Sequence, residues 1–194
     1  KFEPLVSSEV ETIKKDIEPW TKHLMMIFNG SVTSKENFES TMAHDLQKPN
    51  YNRTTGWLLQ SSQGVGKGII FNVIKKLNGE KNVAHVSSDM LVDRYRNYLR
   101  TTDMIICTEI ELTGRDVKSK MNKLKELISE EVHPIEEKFV PTNYHHGHFK
   151  LYLSSNAKVP IKLEERDRRI SFNQTLKTKA EILKDDPQYF KNLW

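Results

Sequence analysis

Apolar residues at Val10, Ile13, Ile17, Trp20, Leu24 and Ile27 step by 3, 4, 3, 4, 3 along the chain. That spacing lays them along one face of a helix. Pro19 interrupts the stripe, so a helix is expected to start or kink there. Asn29-Gly30 supplies a stop. A second helix is expected from about Thr33, where Thr33 and Glu36 can form a capping box. Its inward face reads Phe38, Met42 and Leu46, and Lys48-Pro49-Asn50 closes it. Residues 1–50 therefore read as a small helical unit.

From about residue 54 the pattern changes. Short apolar runs occur at Gly56-Trp57-Leu58-Leu59, Val83-Ala84-His85-Val86, Met104-Ile105-Ile106-Cys107 and Phe149-Lys150-Leu151-Tyr152-Leu153. Each is bounded by polar residues or glycine, as strands buried on both faces are. Between them lie helical patterns. One carries Ile70, Val73, Ile74 and Leu77; a later one carries Val117, Met121, Leu124 and Ile128, with Lys118, Lys120, Lys123 and Lys125 on its other faces. Strands alternating with helices predict an α/β domain with a mostly parallel sheet flanked by helices, over residues 51–175. Residues 176–194 form a C-terminal tail or helix, and no internal repeat is present.

Composition narrows the class. The chain has 194 residues, which suits one domain with a small appendage. With 37% hydrophobic and 29% charged residues it reads as a soluble globule and excludes collagenous and low-complexity classes. No apolar run reaches the roughly 18 residues a membrane span needs, so no membrane partner is expected. The single cysteine, Cys107, excludes a disulfide framework and a multi-cysteine zinc site, and points to a reducing, cytoplasmic compartment. The chain opens on Lys1 without a signal-peptide core, and is expected to be a piece of a longer protein. A net charge of +4 permits a polyanion partner without requiring one.

The most informative stretch is Gln60-Ser61-Ser62-Gln63-Gly64-Val65-Gly66-Lys67-Gly68, between a predicted strand and an amphipathic helix. Gly64 and Gly66 let the backbone turn its N–H groups inward into a nest for phosphate oxygens. The helix N-terminus adds partial positive charge, and Lys67 can reach terminal phosphates. Ser62, Gln63 and Val65 complete the candidate nucleotide-binding loop. The pattern departs from the phosphate-loop consensus at both ends. Ser61 replaces its first glycine, and Gly68 replaces the hydroxyl that would bind Mg2+. A second strand should end in a carboxylate that holds Mg2+ and orients water. Glu109 stands there, just past four apolar residues, although Thr108 holds the place of a usual aspartate.

The order of these motifs continues through Asn122-Lys123-Leu124-Lys125-Glu126-Leu127-Ile128, Ile135-Glu136-Glu137-Lys138-Phe139, Leu151-Tyr152-Leu153-Ser154-Ser155-Asn156 and Asp167-Arg168-Arg169-Ile170-Ser171-Phe172. Over residues 45–173 it resembles superfamily 3 helicases, in particular the module that follows a primase-polymerase in phages and plasmids. The resemblance implies an AAA+-like P-loop core, a hexameric ring, ATP with Mg2+, and single-stranded DNA in a central basic channel. It also implies an upstream primase-polymerase domain on the same chain. Asn156 would sense the γ-phosphate. Arg168, with Arg169 as second candidate, would act as an arginine finger in a neighbour's site. Residues 135–153 would form a β-hairpin presenting Lys138 and Phe139 to DNA, with Lys123 and Lys125 lining the same channel.

Each assignment has a plainer reading: a turn asparagine, locally paired arginines, a core phenylalanine. The three departures at Ser61, Thr108 and Gly68 also leave open a DNA-binding and oligomerisation platform without ATP hydrolysis. A metabolic P-loop kinase explains Lys67 alone. Tyr144-His145-His146-Gly147-His148 is histidine-dense, but alternation in a strand would send His145 and His146 to opposite faces.

Overall fold

The computed structural model describes residues 7–164 and 167–193. The N-terminal stripe forms two helices, α1 (Ser7–Asp16) and α2 (Glu18–Ile27). Pro19 sits in the first turn of α2, where a missing N–H costs no hydrogen bond. The stripe does not bury evenly. Leu24 and Ile27 are fully buried, whereas Ile13 and Ile17 are exposed. Asn29 and Gly30 both take positive φ, which reverses the chain into α3 (Val32–Gln47). The cap of α3 is Ser31, whose side chain accepts from the Ser34 N–H, and not the expected Thr33 box. On its inner face Phe38 and Met42 are buried as expected, but Leu46 is exposed. Asp45 turns inward instead. It accepts from the Tyr152 hydroxyl at 2.7 Å and faces Arg53 at 3.1 Å, which compensates its buried charge.

The remaining elements are β1 (Gly56–Gln60), α4 (Lys67–Asn78), β2 (Val83–Val86), α5 (Ser88–Val92), β3 (Met104–Cys107), α6 (Val117–Ser129), β4 (Val132–Glu137), β5 (Val140–His146), β6 (Lys150–Ser155), β7 (Ile170–Gln174) and α7 (Lys179–Asp185). Five strands make one sheet in the order β2-β3-β6-β1-β7, and every pairing in it is parallel. Side chains alternate between its faces. Leu58, Ile105, Leu151 and Leu153 pack with Leu124, Leu127 and Ile128 of α6. Trp57, Leu59, Ile106 and Tyr152 pack with Leu24, Phe38, Ile70 and Ile74 from α2, α3 and α4. Burial on both faces is why these strands read as unbroken apolar runs. The N-terminal helices share this second core: the Phe28 and Phe38 rings meet Trp57 edge-on at 5.9 and 5.1 Å.

In α4 the residue that completes the buried face is Phe71, and Leu77 is exposed. The hairpin spans only β4 and β5, a separate antiparallel pair; the run ending at Leu153 belongs to β6 in the central sheet. Among the described residues no helix is long and apolar enough to cross a membrane.

Candidate functional site

Because the five strands run parallel, β1, β3 and β6 end on the same edge of the sheet, where loops can converge on a ligand. The Gln60 side chain ties the end of β1 to the segment after β6, donating to the carbonyls of Ala157 and Lys158 at 2.6 and 2.8 Å. The Ser61 N–H donates to the Ser155 carbonyl. The loop then turns through Gly64 (φ 79°) and Gly66 (φ 104°), with Val65 buried between them as an anchor. A Cβ on Gly66 would lie 2.5 Å from the His23 ring, so both conformation and space demand glycine there. Ser62 and Gln63 are exposed on the outer rim.

Lys67 opens α4 and is 8% exposed. Its ammonium donates to Asn156 Oδ1 at 2.7 Å and to Ser61 Oγ at 2.5 Å. Burial pulls the amine down to about 8, opposed by the nearby Glu109 charge. Glu109 lies just beyond β3 with φ 63°, a costly conformation for a residue with a side chain. Its neighbours hold it there. The Ile110 N–H donates to the Ser154 carbonyl at 2.8 Å, and Ser88 Oγ donates to the Glu109 carbonyl at 3.2 Å while accepting from the Glu111 N–H. Lys67, Gly68, Thr108, Glu109 and Asn156 line one cleft of about 450 Å3. This is a cation with an amide partner and a carboxylate, beside a loop with two left-handed glycines. Such a set can take a polyphosphate anion and, through Glu109, a hydrated cation. Two departures also have a physical form. Thr108 Oγ1 is within 3.0 Å of His85 Nε2, and a Cβ on Gly68 would meet nothing within 4 Å.

Three residues of this site carried no sequence signal, because they lie far from the loop in the chain. The Gly66 carbonyl can only accept, so His23 Nε2 donates to it at 3.1 Å. His23 Nδ1 then accepts from the Tyr189 hydroxyl at 3.0 Å. Burial lowers the His23 pKa and raises that of Tyr189 to about 12, so both stay neutral near pH 7. Phe190 lines the cleft beside them.

The other candidates lie apart from this cleft. Arg168 is exposed, two residues before β7, and makes no ion pair among the described residues. Arg169 faces Asp167 at 3.9 Å, and its carbonyl accepts from the Gly56 N–H at the start of β1. Both arginines therefore sit near the opposite edge of the sheet from the loop. Glu165 lies outside the described residues. Lys138 and Phe139 occupy the turn between β4 and β5; Phe139 is fully exposed with φ 66°. Lys123 is partly buried on α6. Lys125 is held by Glu164 at 2.9 Å and Asp167 at 3.3 Å. His145, His146 and His148 border a cleft of about 460 Å3 with Arg100, Asp103 and Glu131; within β5 His145 is half-buried and His146 exposed. Cys107 is buried and its thiol is pushed up to about 12, which makes it unreactive.

The chain is 27% identical over 184 residues to the DNA primase-polymerase of Nitratiruptor phage NrS-1, covering 91% of this chain and 25% of that protein. It thus spans a quarter of the relative's length. Its fold matches apo structures of the NrS-1 C-terminal region. One has a TM-score of 0.75 at 19% identity and another 0.70 at 18%, each covering 91% of this chain and 42% and 41% of the matched chain. A family model matches residues 59–169, from the end of β1 to the residue before β7, and the chain belongs to that family, the Family of unknown function (DUF5906).

Proposed function

We propose that this chain is an ATP-dependent, ring-forming helicase module of a phage-type replication protein, acting on single-stranded DNA beside an upstream primase-polymerase domain. One observation carries the proposal: Lys67, Asn156 and Glu109, from the segments that follow three parallel strands, share the cleft beside the Gly64–Gly66 loop. The relationship to a phage primase-polymerase supports a replication setting. In this reading Gly64, Gly66 and Gly68 offer backbone N–H groups to phosphate oxygens, with Ser62, Gln63 and Val65 completing the loop. Lys67 leaves Ser61 and Asn156 to neutralise β- and γ-phosphate charge. Asn156 holds the γ-phosphate or the attacking water. Glu109 orients that water and would hold Mg2+. Bound there, the ion would supply positive charge against the terminal phosphates. The site fits it in part, because Gly68 contributes no hydroxyl. Arg168 or Arg169 reaches the site of an adjoining copy in a hexameric ring. Lys138 and Phe139, with Lys123 on the basic helix, contact the strand. Lys125 joins them only if it leaves Glu164 and Asp167.

The missing hydroxyl favours a second reading, a DNA-binding and oligomerisation platform without turnover. DNA-stimulated ATPase activity of wild type and Lys67→Ala separates the two. The motor reading expects turnover that Lys67→Ala reduces to background. Equal background turnover in both proteins leaves only the platform.

A further inference from the structure

We propose that Phe190 is the stacking surface for the base of the nucleoside triphosphate, set at a fixed distance from the phosphate loop by a Tyr189–His23–Gly66 strut. This inference rests on the phosphate-loop reading. Lys67, Asn156 and Glu109 mark where the terminal phosphate belongs, so the base needs an apolar face elsewhere in the same cleft. Phe190 is the one aromatic ring among the described residues that line it. The ring lies against the loop, with its Cε1 3.3 Å from the point a Gly66 Cβ would occupy, yet it remains partly open to solvent. Its position is fixed from behind. Tyr189 packs edge-on against Phe190 at 5.1 Å and 86°. The Tyr189 hydroxyl donates to His23 Nδ1, and the fully buried His23 donates from Nε2 to the Gly66 carbonyl. The loop, α2 and the segment after α7 are thereby tied into one unit before any ligand arrives. Such preorganisation saves the ordering cost at binding. A bare aromatic face stacks on any base, so the site should accept ATP and GTP to within a few fold.

The test is calorimetric titration of the 194-residue chain with ATP, GTP and inorganic tripolyphosphate, each with Mg2+. Phe190→Ala is expected to weaken ATP and GTP about tenfold, within the range for losing one base–aromatic stack, and to leave tripolyphosphate unchanged. Phe190→Trp should restore the nucleotides. The inference fails if Phe190→Ala leaves ATP affinity intact, or weakens tripolyphosphate by the same factor. It fails alone if wild type binds ATP no more tightly than tripolyphosphate. If wild type binds neither probe, the phosphate-loop reading falls with it.

Discussion

At the scale of single residues the candidate site rests on Lys67, and its protonation sets two opposite pH trends. In the free protein burial brings its amine to about 8, against 10.5 for an ordinary lysine. Only the charged form attracts phosphate, so nucleotide affinity should be flat below pH 7 and fall about tenfold per unit above pH 8. Stability of the ligand-free protein runs the other way. Between pH 8 and 10.5 the unfolded chain binds more protons at this site than the folded one, so this group's contribution rises with pH across that window. ATP affinity measured from pH 6.5 to 9.5 checks the first trend; a flat profile through pH 9 would show that Lys67 does not meet the phosphates as a cation. Gly68 gives a second test. A side chain there meets open space, so Gly68→Ser should fold without loss of melting temperature. If the wild-type site lacks one metal ligand, this substitution should lower the Mg2+ concentration for half-maximal nucleotide binding by about tenfold, or roughly 1.4 kcal/mol. An unchanged Mg2+ requirement would place the metal on other groups. Lys67, Gly64 and Gly66 could be read from sequence because they are adjacent in the chain and each has one physical use there. His23 and Phe190 could not be read, because nothing local distinguishes a histidine on a helix that will meet a carbonyl 43 residues on.

At the scale of elements, legibility followed burial. The strands β2 and β3 lie where their apolar runs predict, because every apolar residue of the two is buried in the sheet; only His85 of β2 faces out. The hairpin was harder to bound. The β5 sequence Val140-Pro141-Thr142-Asn143-Tyr144-His145-His146 is almost wholly exposed, so no hydrophobic period marks it, and the next apolar run, which reads as the far strand of the hairpin, is β6 of the central sheet. At the turn, Phe139 combines full exposure with φ 66°. A left-handed conformation costs a side-chain-bearing residue roughly 1–2 kcal/mol, and exposure returns no burial energy. Phe139→Gly should therefore leave the melting temperature unchanged or slightly raised, since relief of strain offsets the added freedom of the unfolded chain. The same variant should weaken single-stranded DNA binding, and Lys138→Ala should lower the salt slope of binding by about 0.7. DNA affinity that survives both substitutions with an unaltered slope would remove the hairpin from the DNA interface.

At the scale of the whole molecule, strand direction decides which residues can serve one nucleotide. The loop, Glu109 and Asn156 follow the C-terminal ends of β1, β3 and β6, whereas Arg168 precedes the N-terminal end of β7. The carbonyl of Arg169 bonds the Gly56 N–H at the start of β1, so the arginines and the loop are separated by the length of that strand, roughly 13 Å at 3.3 Å per residue. Arg168 cannot fold back over that distance into its own cleft while Arg169 keeps this bond. If it acts on a triphosphate at all, it acts on a neighbour's. An arginine finger supplied in trans predicts complementation between defective subunits. Lys67→Ala retains a working arginine but no working cleft, and Arg168→Ala the reverse. Each protein alone should have background ATPase activity. In an equimolar mixture about a quarter of interfaces would join an intact cleft to an intact arginine, and activity should recover to that order, given a finger worth about 10³-fold or more in rate. Recovery would tie catalysis to assembly, with DNA-facing hairpins gathered on one ring. Mixtures that stay at background while wild type turns over would confine Arg168 to its own surface.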